Sequence, residues 1–366
     1  MFVIRHFSIL GLVMVMVMVI AAGGFQHAVA QNLPPSADPG RRDIDPDRLL
    51  DDREAPSIQL PKGQELAPRA PEGADSVRFD LESVTFQGNT AFQDSELADI
   101  YQPFIDETIS LTKLWDLAAQ ITQRYQEQGY FLSKAYIPAQ KIQDGKITIG
   151  VAEGHIERVE LIGTERETHI VRQLRRQITA QTPIRLAYLE NKIMRLNALP
   201  GVAYETLMQG DAQDNAEAGT GITLVLKQRE TDARTNLRFN NHGSRFAGPG
   251  QTQFVYRDSL LPLQRTTISG FATLPEGDEL LNLRIGHMMQ LSPELSLTLG
   301  LTRSLSRPGF TLSDIDLESS SFGWDATLSW QAILQRGKGL VLDIMLDGRD
   351  TDTDIFNIPV TRDRVR

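Results

Sequence analysis

The 366-residue chain contains no cysteine. Disulfides and thiolate metal sites are thereby excluded, and the fold has to rest on packing and hydrogen bonding alone. Basic charge is also short: 37 Lys and Arg stand against 47 Asp and Glu, a net charge of -10. Arginines gather only in small groups such as Arg172, Arg175 and Arg176, which argues against nucleic acid as a partner. Long apolar runs are missing beyond the N-terminus. Nothing later approaches the ~18 apolar residues of a spanning helix, so any further membrane segment must be made of strands closed into a barrel. Catalytic signatures are lacking as well. No H-E-x-x-H, G-x-S-x-G or Walker lysine loop occurs, and the six histidines, at positions 6, 27, 155, 169, 242 and 287, are scattered. The chain reads as a protein that is not an enzyme, with no metal or cofactor and no nucleotide among its ligands.

What is present begins with an export signal. Arg5 and His6 precede the apolar run "ILGLVMVMVMVIAAGG", and Ala28, Val29 and Ala30 form an A-x-A site before Gln31. This order is that of a cleavable signal peptide over residues 1–30. Residues 31–76 are rich in proline, including Pro34, Pro35, Pro46, Pro56, Pro61 and Pro68, and poor in large apolar residues. They read as an extended linker with room for a helical turn or two capped by Asp45.

From Val77 the pattern becomes regular. "VRFDLESVTFQGN" alternates in two frames around Glu82 and Ser83, as expected for one strand with a bulge. "LTKLWDLAAQITQRYQEQG" puts Leu114, Leu117, Ala118, Ile121 and Tyr125 on one helical stripe ended by Gly129, and the strands "YFLSKAYI" and "KITIGVAEG" follow. The order is β-α-α-β-β. It recurs in "HIERVELIG", the helices "ETHIVRQLRRQI" and "LAYLENKIMRLNAL", and the strands "AYETLMQG" and "TGITLVLKQR", so the chain holds a repeat of about 75 residues, enough for a small domain. Residues 77–153 form one unit and residues 154–229 the next.

Beyond Glu230 helical periodicity vanishes and about seven alternating stretches follow. In "ELSLTLGLTRS" Leu295, Leu297, Leu299 and Leu301 share one face while Ser296, Thr298, Gly300 and Thr302 share the other. Alternation says that one side is dry; it leaves open whether that side meets a sandwich core or lipid. Trp324 and Trp330, six positions apart, fit two interfacial girdles only approximately. "DTDTD" at residues 350–354 opens like a calcium loop, but Ile355 and Thr361 stand where Gly and Glu belong, so it reads as a solvated loop. Arg284, Asp325 and Asp343 lie on polar frames and qualify as pore-lining charges.

Two segments carry a family resemblance. "FQGNTAF" and "GYFLSKAYIPAQKIQDGKITIGVAEG", with its Gly-Tyr pair, Pro138-x-Gln140 step, Gly145 and Val-x-Glu-Gly exit, resemble the first polypeptide-transport-associated (POTRA) domain of two-partner secretion transporters of the haemolysin secretion/activation type. "LPGV" resembles the second domain, and "FNNHGSRFAGPGQ" the entry to the barrel through Gly243, Ser244, Arg245 and Gly248. The resemblance implies an α+β and all-β chain: two POTRA domains, then antiparallel strands of an incomplete transmembrane β-barrel over residues 230–366. The implied setting is the outer membrane of a Gram-negative bacterium, with the POTRA domains in the periplasm. The implied partners are outer-membrane lipid and an unfolded secreted exoprotein. In that fold the fourth element is a sheet edge, which assigns client binding by strand addition to Leu132, Ser133, Lys134, Ala135, Tyr136 and Ile137, and to Tyr204, Thr206 and Met208. A barrel-assembly factor and a soluble periplasmic interaction protein are the rival readings. The family barrel needs sixteen strands, whereas 136 residues follow Glu230, so a chain of this length is expected to be a partial transporter that does not insert alone.

Overall fold

The computed structural model describes residues 58–59, 70–163, 167–210, 221–229, 233–243, 248–259, 261–274 and 279–365. The expected signal peptide and the helical turn at Asp45 lie outside them. The first element is a two-residue strand, β1 (Ile58–Gln59), within the stretch read as a linker. The first domain then runs through β2 (Arg78–Asp80), β3 (Ser83–Gln87), a short helix α1 (Ala98–Tyr101), β4 (Thr108–Ser110), α2 (Leu111–Glu127), β5 (Lys134–Tyr136) and β6 (Lys146–Ala152). The single bulged strand expected at its start is in fact two strands. β2 pairs with β4 in a separate antiparallel ribbon, while β3 lies parallel to β6. The break falls at Leu81, which is fully buried and held on both sides, its N–H donating to Glu107 O at 3.0 Å and its carbonyl accepting from Asp106 N at 2.8 Å. The change of frame lets Leu81 fill the core while Phe79, Val84 and Phe86 pack around it.

Helix α2 covers this sheet with Leu114, Leu117, Ala118, Ile121, Thr122 and Tyr125. These are the stripe residues of its 3.6-residue period with Thr122 added, and each large apolar member contributes roughly 1.5–3 kcal/mol by leaving water. The strand expected at "YFLSKAYI" is shorter than its apolar run, because a turn that closes from Ser133 N to Tyr130 O at 3.1 Å leaves only β5 extended.

The second domain comprises β7 (His155–Ile162), α3 (His169–Thr179), α4 (Leu186–Ala198), β8 (Ala203–Gly210) and β9 (Gly221–Arg229). Its first strand lies parallel to its last, and β8 runs antiparallel to β9. The sheet order β8-β9-β7 therefore repeats β5-β6-β3 of the first domain, with β1 added outside β8. The repeat read from sequence is a repeat of topology.

Eight antiparallel strands follow as a meander: β10 (Arg234–Asn240), β11 (Gly250–Asp258), β12 (Gln264–Leu274), β13 (Leu280–Gln290), β14 (Leu295–Ser306), β15 (Glu318–Gln335), β16 (Lys338–Ile355) and β17 (Ile358–Val365). The count exceeds the expected seven by one. Among the described residues β10 and β17 are the two edges of this sheet.

The sheet is inside out relative to a soluble protein. Phe239 is 65% exposed and Leu237, Leu283, Leu299, Leu305, Trp324 and Trp330 are exposed too, whereas Ser306 is 1% exposed and Ser269, Thr273, Asn282, Ser304, Ser319 and Thr353 are buried. A sandwich core would reverse both sets. The apolar residues lie on the open, convex face and the polar ones line the enclosed, concave one. On β14 the leucines face outward and Ser296, Ser304 and Ser306 inward.

Candidate client-binding edges and domain joints

The residues matched to family motifs mostly build the framework. Glu153, from the Val-x-Glu-Gly exit, turns its carboxylate into the loop after β3. There Oε1 accepts from the N–H groups of Thr90 and Ala91, each at 2.7 Å, and from the Tyr125 hydroxyl at 2.9 Å, while Oε2 accepts from the Thr90 hydroxyl. One carboxylate thus ties "GNTAF" to α2 and to the end of β6. Burial, followed by the Glu153 charge, pushes the Tyr125 phenol far above the usual tyrosine range. The native state then holds a proton that the unfolded chain releases near pH 10, so stability should fall by about 1.4 kcal/mol per pH unit above that point. Tyr125→Phe should flatten this limb of an alkaline unfolding titration.

Gln140 explains the Pro138-x-Gln140 step. β5 reaches only to the Tyr136–Gly150 pair. Past it the Gln140 side chain takes the place of a strand, donating to Thr148 O at 2.7 Å and accepting from Thr148 N at 2.8 Å.

The expected client residues divide sharply. Leu132 is buried in the core of the second domain. Beside it Leu186 N donates to Gly129 O at 2.9 Å and the Arg185 guanidinium, 4.7 Å above the Tyr130 ring, donates to its hydroxyl at 2.8 Å. The Gly-Tyr motif is the joint between the two domains. Ser133 is buried and accepts from Gly154 N at 3.1 Å. Lys134, Ala135 and Tyr136 form β5, an edge strand as expected, but the Ala135 N–H donates to the Thr122 hydroxyl at 2.9 Å. Ile137 packs against the first-domain core.

β8 is longer, and on its outer side only Thr206 and Leu207 are paired among the described residues, with β1. Tyr204, Thr206 and Met208 point inward and are buried, leaving Glu205, Leu207 and Gln209 on the other face. What this edge presents to a partner is its backbone. The expectation named the core-facing residues; the period of two places the accessible side chains one position away.

The second domain grips the sheet through α4. Buried Arg195 donates to Pro293 O at 3.3 Å and Gln331 O at 3.5 Å, and its Nη1 lies 3.6 Å from a Glu294 carboxylate oxygen. Asn191 donates to Leu334 O at 2.7 Å. Burial, with Arg195 close by, lowers the neighbouring Lys192 ammonium, an effect Glu294 partly offsets. Leu263, in the turn before β12, is buried in the second-domain core. The Gly of "LPGV", Gly201, has φ +74, and a Cβ there would lie 2.9 Å from Ser259 Cβ. Two short turns and the end of β15, on one side of the sheet, therefore seat the second domain.

Of the barrel-entry residues, Gly243 donates to Pro249 O at 3.1 Å and Gly248 holds φ +76. Ser244 and Arg245 lie outside the described residues. Arg284 and Asp325 face the concave side as a two-pronged ion pair, with Nη2 donating to Oδ2 at 2.8 Å. Asp343, opposite Ser329, shares that side by register. "DTDTD" is not a loop: it lies within β16, where Asp350 and Asp352 stand opposite Arg364 and Arg362 and bind them at 2.6 Å each.

Residues 79–154 match the POTRA domain, ShlB-type. The outer membrane transporter CdiB of Escherichia coli is 20% identical over 213 residues, 57% of this chain and 35% of that protein. The heme/hemopexin transporter protein HuxB of Haemophilus influenzae is 25% identical over 164 residues, 42% of this chain and 29% of that one. The chain thus spans about a third of the length of these relatives. Among solved structures, CdiB from Escherichia coli aligns with a TM-score of 0.59 at 16% identity, over 81% of this chain and 55% of that one. CdiB from Acinetobacter baumannii gives 0.51 at 14% identity, over 86% and 60%. Residues 79–154 are an ShlB-type POTRA domain, and the chain shares the fold of part of CdiB.

Proposed function

We propose that the chain serves as the outer-membrane translocator of a two-partner secretion system, with residues 1–30 as its export signal, residues 77–153 and 154–229 in the periplasm, and residues 230–366 in the membrane. An unfolded secreted exoprotein is captured by strand addition and handed to a polar lumen. The observation that carries this reading is the inside-out sheet seated on a domain whose β8 is covered on its outer side, among the described residues, by the two residues of β1 alone. A soluble periplasmic protein would not leave its leucine face in water. Translocation here requires no nucleotide and no catalysis.

Strand addition draws affinity from backbone groups and makes little demand on client sequence. β8 is the main acceptor through the backbone of Tyr204, Thr206 and Met208. β5, with Lys134, Ala135 and Tyr136, is the weaker one because Thr122 already holds an amide there. Leu132, Ser133 and Ile137 support that edge from within. The test is binding of a fluorescent decapeptide of alternating Thr and Val with terminal lysines to the full chain in detergent micelles. N-methylating alternate residues should weaken binding at least about tenfold, the worth of one or two backbone hydrogen bonds. Binding that survives methylation rules out strand addition.

A further inference from the structure

The β8 edge is already taken by the chain itself. β1 lies parallel to β8, with Ile58 opposite Thr206 and Gln59 opposite Leu207. We propose that this segment is a built-in competitor, a tethered pseudo-client that covers the acceptor edge until an incoming strand displaces it. The proposal rests on the reading of β8 as a client-binding edge.

Three observations make β1 an occupant built to leave. It is paired with two of the eight residues of β8, whereas β9 is paired with all eight on the other side. It is parallel, the slightly less stable pairing per residue. In sequence it is bracketed by Pro56 and Pro61, which have no N–H to give a ladder, so the strand cannot lengthen far in either direction. A longer client strand can form more backbone bonds along β8 than β1 does. Tethering gives even so short a segment a high effective concentration at the edge, so it excludes weak or brief encounters while yielding to an extended polypeptide. An uncovered strand edge is also a template for aggregation, and β1 blunts it.

The absence of cysteine makes a locked form accessible. Register partners across adjacent strands lie within the Cα separation a disulfide spans, so Gln59→Cys with Leu207→Cys introduces the single possible disulfide of the chain. In the full chain in micelles, oxidation should form this bond and abolish methylation-sensitive binding of the Thr/Val decapeptide, and reduction should restore it. Conversely, Ile58→Pro with Gln59→Pro removes both N–H groups of β1. If the edge is covered about nine-tenths of the time, the decapeptide should bind this variant about tenfold more tightly. Failure of the cysteine pair to oxidise overturns the proposal. So does a locked protein that still binds the decapeptide with full sensitivity to methylation, an outcome that keeps strand addition and moves it elsewhere. An unlocked chain that shows no methylation-sensitive binding sinks the translocator edge itself, and the pseudo-client with it.

Discussion

Glu153→Ala should unfold the first domain locally in an otherwise intact chain. The carboxylate gathers four donors, two of them backbone N–H groups in the loop after β3 and one the fully buried Tyr125. Hydrogen bonds to a charged group contribute about 1.5–3 kcal/mol each, and the orphaned donors carry a desolvation cost of their own. The four share one acceptor and are far from additive. A loss of about 3–4 kcal/mol is expected, or a few hundredfold in the opening equilibrium. Hydrogen exchange of α2 and β6 should accelerate by that factor while the strands of the large sheet keep their protection. Glu153→Gln retains acceptor capacity on one oxygen and should show a smaller effect. Unchanged exchange in α2 would mean that the loop is held by its own turn and not by Glu153.

The other large effect is expected on the convex face of the barrel sheet. Leu301 lies between Ile285 on β13 and Trp324 on β15. A lysine there would place a charge in an apolar band, at about 2–4 kcal/mol if the band meets the membrane midplane. Thr327→Lys, on the concave face and two positions from Asp325, adds the same side chain where water and an opposite charge receive it. In urea titrations of the full chain in detergent micelles, Leu301→Lys should lower the unfolding midpoint strongly and Thr327→Lys barely. Equal tolerance of both would remove the assignment of the leucine face to lipid.

Several elements were plain in the sequence because their signal is periodic. The α2 stripe, the two-domain repeat and the alternating leucines of β14 all announce which residues share a face. Periodicity does not announce what lies opposite. The leucine face takes its proposed meaning from context, and the buried serines and threonines opposite it support that reading. The break at Leu81 resembles a bulge in sequence because a change of frame looks the same whether the strand bends or ends; the distinction depends on β4, which begins only at Thr108. Leu132 alternates like a strand residue, yet its partner is the second domain, and no local pattern encodes a contact between domains. β1 was illegible for a different reason. Two residues between prolines have neither period nor propensity, and only the edge they meet defines them as a strand. Glu153 and Gln140 stand within family motifs, but what they do depends on partners distant in sequence or on a strand that stops short: one gathers a loop, the other stands in for a missing strand.

The joint between the second domain and the sheet bears on how such a chain can change over time. Arg195 and Asn191 grip the main-chain oxygens of Pro293, Gln331 and Leu334. Main-chain oxygens persist through almost any substitution, so apart from Leu263 and Glu294 the gripped segments can vary in side chain as long as their path is kept. The sequence demand of the joint falls on one face of α4, on Glu294 beside Arg195, on the buried Leu263 and on Gly201. Hairpins that face the periplasm can then drift, or be exchanged between relatives, without uncoupling the domain from the sheet.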